Sequence, residues 1–160
     1  MAEFDHVRNF ERAAMRHMQD AEKLLLLSSE KVAKPLDHLR HLPGAVYLSG
    51  YAIECVLKQF LILMEPPSLY LEDAIAVKRK RGEAVPDLVG ASGHDLNLLL
   101  NLTRLAIRLE KLPLLKRDWG ICNKWKSSLR YDIRKISDAE TRVNASQSVY
   151  NWVREEIEKR

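Results

Sequence analysis

Residues that punctuate a chain are scarce here. Glycine and proline occur six times each in 160 residues, too few for the closely spaced turns of an all-β sandwich or barrel. No stretch alternates with period 2 long enough to argue a strand. The only cysteines, Cys55 and Cys122, lie in helical patterns and offer neither a disulfide framework nor a zinc-type spacing. There is no glycine-rich phosphate loop and no nucleophile elbow, so no cofactor is expected. Internal repeats and low-complexity segments are absent. The opening residues, MAEFDHVRNFERAAMRHM, are charged throughout and lack the apolar core of a signal peptide. Free thiols without an export signal lead us to expect a cytoplasmic protein.

What is present suits one globular helical domain spanning residues 1–160. The chain is 46% hydrophobic and 30% charged, with a net charge of +4, a mild basic bias compatible with an anionic partner. Its organising stretch is Gly44 to Met64, GAVYLSGYAIECVLKQFLILM, which carries only two formal charges, Glu54 and Lys58. A helix apolar on nearly all sides is normally a central helix wrapped by others. The stretch is long enough to span a bilayer, but two charges near its middle would each cost roughly 2.5–3.5 kcal/mol there. No membrane association is expected.

Amphipathic helices flank this stretch. Val7, Phe10, Ala14, Met18, Ala21 and Leu25 are spaced by three and four, which predicts a helix over about 5–32 ending before Pro35. The linker AKPLDHLRHLPG is expected to turn the chain, with Pro43 in the first turn of the central helix. Pro66 and Pro67 stop that helix. Ser68 is a candidate cap for a short helix through Leu71 and Ala76. Residues 78–94 read as a loop with a basic run at its start. A third long helix is expected from Gly93 to Leu112, capped by Ser92 with Asp95 in its first turn. A fourth element is expected over about 117–131. The last helix opens on a capping box at Ser137-Asp138-Ala139-Glu140, with the stripe Ala139, Val143, Ser146, Tyr150, Val153 and Ile157. The fold class is therefore all-α, an up-and-down bundle of four long helices plus one or two short ones.

Glu54 and Lys58 sit four apart on one helical face, and a charge buried there needs a partner or a purpose. They read either as a structural pair that fixes helix register or as part of a ligand or catalytic site. His94, in Gly-His-Asp, is either a polar group at a helix start or a histidine packed over the first turn. Asp37, His38 and His41 could share one turn. Metal ligation needs three or four ligands, and Pro35 and Pro43 argue against a regular helix there, so no metal site is expected. Between Arg104 and Lys135 ten basic residues face three acids. Trp119, Trp125 and Tyr131 are interleaved with them. That pattern suits phosphate neutralisation with base stacking, or a solvated face whose tryptophans point inward.

Three motifs in order carry a family resemblance. Ala45 through Lys58, with its Gly50-Tyr51 and Glu54-x-x-x-Lys58, resembles the second-helix signature of HEPN-domain proteins. Gly93-His94-Asp95-Leu96, followed by Leu99, is similar to the start of that family's next long helix, and Trp125 with Arg130-Tyr131-Asp132 to its Trp…Arg-Tyr segment. The resemblance runs from about Arg8 to Val153. It implies an up-and-down bundle, often homodimeric, in a family whose bacterial members are frequently encoded beside a minimal nucleotidyltransferase, sometimes as toxin and antitoxin. Active members are metal-independent endoribonucleases that use an arginine followed four to six residues later by a histidine, late in the bundle. Here no histidine follows His94, and the only Arg-x4-His match is Arg12 to His17, which reads as chance on an exposed helix. The expectation is a non-catalytic module, a homodimer binding nucleotide, RNA or a nucleotidyltransferase partner. Its candidate ligand-binding residues are Glu54, Lys58, His94, Asp95, Trp125, Arg130 and Tyr131. A divergent endoribonuclease toxin and a purely structural helical adaptor are the alternatives.

Overall fold

The computed structural model describes residues 6–29, 35–88, 92–126 and 138–160. Among them the chain is all-helical, with no strand. The helices are α1 (Val7–Ser29), α2 (Pro35–Leu63), α3 (Leu71–Lys80), α4 (Leu96–Leu102), α5 (Leu105–Leu109), α6 (Pro113–Cys122) and α7 (Ala139–Glu158), with a 3-10 turn at Ser92–His94.

α2 is the centre. Every residue from Ala52 to Ile62 is buried, whichever way its side chain points. The reason is that α1, α3, α4 and α7 all pack against it. Burying a side chain such as Phe60, Leu57 or Ile53 is worth about 1.5–3 kcal/mol, so this stretch holds the largest share of the core. Residues His41–Leu63 are long and apolar enough to cross a membrane by length and composition, yet most of that segment lies inside the fold. The amphipathic stripe of α1 delivers Phe10, Ala14, Met18 and Ala21 to the core. That of α7 delivers Ala139, Val143, Ser146, Tyr150 and Val153, with Ile157 partly buried. A hydrogen bond from Gln147 Nε2 to Glu22 Oε1 (2.6 Å) ties these two helices together.

Several expected boundaries move. α2 begins at Pro35 and not near Pro43, so the expected linker is helical from residue 35 and Pro43 lies inside the helix. Pro35 fills a first-turn position, where a missing N–H costs nothing, and Pro43 deletes one internal bond without ending the helix. The basic run at 78–81 starts inside α3, not in a loop. Glu72 and Asp73 occupy the first turn of α3 and Lys78, Arg79 and Lys80 its last, as the helix dipole favours. Ser68 does not cap α3, whose cap position is Tyr70. The expected third long helix is two short ones. Thr103 Oγ1 bonds back to Leu100 O at 2.7 Å, and Arg104 takes a left-handed conformation, φ 59°, which closes α4. Pro113, just past the expected end at Leu112, opens α6 at its first position. Asp138 makes no side-chain cap bond to α7 and pairs instead with Arg142 at 2.9 Å. Ser137, the other half of that expected cap, lies outside the described residues, as do positions 127–131 of the fourth element.

Candidate functional site

Glu54 is 1% exposed, in the middle of the most apolar helix of the chain. Both of its carboxylate oxygens are used. Oε1 accepts from Lys58 Nζ at 2.7 Å, the i, i+4 geometry expected from the spacing. Oε2 lies 2.8 Å from His94 Nδ1. A carboxylate only accepts, so His94 carries its proton on Nδ1 and, when neutral, leaves Nε2 as an acceptor. Lys58 is 9% exposed, with its ammonium 5.8 Å from the centre of the Phe10 ring on α1. The His94 side chain is 41% exposed and is the accessible member of the three.

His94 is placed by its backbone. A side chain on Gly93 would put its Cβ 2.7 Å from the backbone oxygen of Leu88, so only glycine permits this close approach. Asp95 then caps α4, accepting from Asn97 N at 2.9 Å and Leu98 N at 3.0 Å. Ser92, the expected cap, instead donates to Asp87 O at 2.5 Å. Asp95 is thus the helix cap beside the site, its carboxylate committed to the backbone.

Trp125 completes one wall. It is buried, and its indole N–H donates to Tyr47 O at 3.1 Å. A Cβ on Gly50 would meet the indole at 2.1 Å, so Gly50 is the slot that seats this ring. The imidazole of His94 lies 6.4 Å from it, edge-on, and Tyr47 lies 6.1 Å away. Trp125 therefore packs and offers no face for base stacking. Trp119 is likewise buried, donating to Asn97 Oδ1 at 3.1 Å. Arg104 and Arg108 of the basic segment pair with Glu83 and Glu156. Lys116 and Arg117 pair with Glu110 and Asp118. Lys124 and Lys126, which flank Trp125, are exposed and make no ion pair with a described residue. Arg130 and Tyr131 lie outside the described residues.

Sequence reasoning misses one neighbour. His17, expected to be exposed, packs against the Tyr51 ring at 4.8 Å, and Tyr51 stacks on Tyr47 at 6.0 Å. Burial holds the His17 imidazole below its ordinary pKa; Asp20 and Glu54 oppose that shift and Arg16 adds to it. Its Nδ1 is sealed from solvent without a hydrogen-bond partner. The one local signal for this is that His17 precedes Met18 on the buried stripe of α1. Arg12, five residues earlier, is exposed and about 140° round the helix.

A second buried cluster also escapes the sequence reading. Lys78, 0% exposed, lies 3.4 Å from Glu65 Oε1 and 3.1 Å from Glu83 Oε2. Arg81 Nη1 approaches Glu65 Oε2 to 2.6 Å without hydrogen-bonding alignment, and Arg104 reaches Glu83 at 3.2 Å. The bond from Lys78 holds Glu83 below the usual carboxylate range. The two thiols are chemically quiet, since burial pushes Cys55 and Cys122 up to about 12. Among the described residues no group of three or more His, Cys, Asp or Glu is placed to hold a metal ion. No family model, curated protein or solved structure matches the chain.

Proposed function

We propose that this chain is a HEPN-like, non-catalytic binding module, with α1, α2, the α4–α5 pair and α7 arranged as an up-and-down bundle. It works as a cytoplasmic homodimer and binds single-stranded RNA or a nucleotide beside His94. The observation that carries the reading is the convergence of two sequence motifs on one carboxylate. Glu54 holds Lys58 and His94 at 2.7 and 2.8 Å, and His94 alone of the three is widely open to solvent. Exposed Lys124 and Lys126 beside Trp125 supply positive charge next to that opening. In this reading Glu54 orients His94, Lys58 occupies the other oxygen of Glu54, and Trp125 is a wall.

The test is a fluorescence-anisotropy titration of a single-stranded RNA oligonucleotide at several salt concentrations. Binding should weaken as salt rises. His94→Ala should cost about tenfold in affinity, the value of one good hydrogen bond. Replacing Lys124 and Lys126 by alanine should flatten the salt slope by roughly 0.7 for each phosphate that is no longer neutralised. Absence of binding at low salt, or affinity untouched by His94→Ala, overturns the ligand assignment. A nucleotidyltransferase-type protein partner would then be the occupant to test.

A further inference from the structure

Resting on the homodimer reading, we propose that two copies of this chain join by seating the α5–α6 corner of each in a groove beside α3 of the other. The corner is apolar and basic. Leu114 and Ile107, 74% and 68% exposed, are the two most exposed large apolar side chains among the described residues, and Leu112, 40% exposed, lies between them in the chain. Exposed apolar groups gathered in this way mark a contact surface. Over residues 107–117 four bases, Arg108, Lys111, Lys116 and Arg117, accompany one acid, Glu110.

The groove is apolar and acidic. It offers about 540 Å³ between α3 and the segment that follows it, over a floor of Leu71, Ile75 and Leu88. Its charged lining is Glu72, Arg79 and Asp87. Arg79 is already committed, to Asp87 Oδ1 at 2.6 Å and to Val85 O at 2.9 Å. Glu72 is exposed and makes no ion pair with a described residue, and the same holds for Lys111 on the corner. Each is a charge left over on its own surface, and the two are opposite in sign, which favours their meeting across an interface. The free charge of the groove is negative, so it repels a nucleic-acid strand and attracts the basic corner.

Corner and groove also border one another. Arg104, three residues before Ile107, reaches Glu83, four residues before Asp87, at 3.2 Å. A two-fold axis beside that ion pair gives each copy one corner and one groove to exchange. The contact is then made twice, and the assembly closes as a dimer with Lys111 of each copy against Glu72 of the other.

The test is sedimentation equilibrium of the full chain over a dilution series, with circular dichroism confirming the helical fold of each variant. Wild type should be a dimer that dissociates on dilution. Leu114→Asp should raise the dimer Kd at least about a hundredfold, since a leucine is lost from two equivalent contacts. Glu72→Lys and Lys111→Glu should each raise it about tenfold, and combining them should restore it, because the pair is rebuilt with its signs exchanged. Met15→Asp, which places a charge at an exposed position on α1, should leave the dimer intact. A dimer that survives Leu114→Asp, or a charge exchange that restores nothing, overturns this interface and leaves the homodimer standing on another face. A monomer at every concentration overturns the interface and the homodimer together, and gives the groove to a basic segment of a different protein.

Discussion

Two lysine–carboxylate clusters are built in different ways, one in the middle of α2 and one just past its C-terminal end. The Glu54 cluster begins as an i, i+4 pair on one helix and gains His94 from a turn 40 residues away. It stays open on one side. The Glu65 cluster brings together the end of α2, the last turn of α3, the residues after it and Arg104, and it closes completely over Lys78. Here two carboxylates face three cations, so the charges are satisfied within the protein. A closed cluster of this kind is a packing device that joins α2, α3 and the α4–α5 junction. An open one, with a half-exposed histidine held by a buried carboxylate, is where a ligand can be met.

The sharpest way to break that comparison is to remove one partner of the buried carboxylate from each cluster. Lys78→Ala should destabilise by about 3–5 kcal/mol, because it leaves the buried Glu65 with only the half-exposed Arg81, which is not aligned to hydrogen-bond it. His94→Ala should cost only about 1 kcal/mol, because water can replace a half-exposed partner. Urea denaturation of the two variants measures both, and equal losses would erase the distinction between closed and open clusters.

A smaller effect tests the wall of the open cluster. Gly50→Ala drives a methyl group into the Trp125 indole and should cost about 1–3 kcal/mol by overpacking. Displacement of the ring should change tryptophan fluorescence. An unaltered spectrum and midpoint would show that the slot is not needed.

The smallest effect concerns His17 and its pH window. The fold favours the neutral imidazole, so below the ordinary value of 6.5 the unfolded chain binds more protons than the native one. Stability is therefore lost as the pH drops below about 6.5, by at most about 1.4 kcal/mol per pH unit. Thermal melts of wild type and His17→Gln from pH 7.5 to 5 should diverge in wild type's disfavour toward acid. Glu83 is also held below its ordinary value, there because Lys78 favours the charged carboxylate. Its contribution is lost only below 4.5, so the loss that begins near 6.5 belongs to His17 and not to Glu83.

Much of this molecule is legible in the chain because its cause is local. The stripes of α1 and α7 are a period. The centrality of α2 follows from a run in which nearly every position is apolar. The Glu54–Lys58 pair is a spacing on one helix. Other features have weaker local signals. Thr103 and Arg104 break a helix whose leucine spacing reads straight through them, because a hydroxyl back-bond and a left-handed residue leave no mark on hydrophobic periodicity. Pro43 reads as a boundary because proline usually is one. Lys78 reads as part of a solvated basic run, since nothing in KRKR tells which cation will find two carboxylates.

Patterns local to the chain are enough for an all-helical fold around Gly44–Met64, and they single out Glu54, Lys58 and His94 as residues to explain. Packing between helices alone makes His94 and Lys58 share the Glu54 carboxylate, buries Trp125 against Gly50 and sets His17 on the Tyr51 ring. The physical reason is the range of the forces involved. Helix period and i, i+4 pairing act within a few residues and are written in order along the chain. Burial, the meeting of charges and the seating of a ring on a glycine act between segments whose proximity is set by how the helices pack.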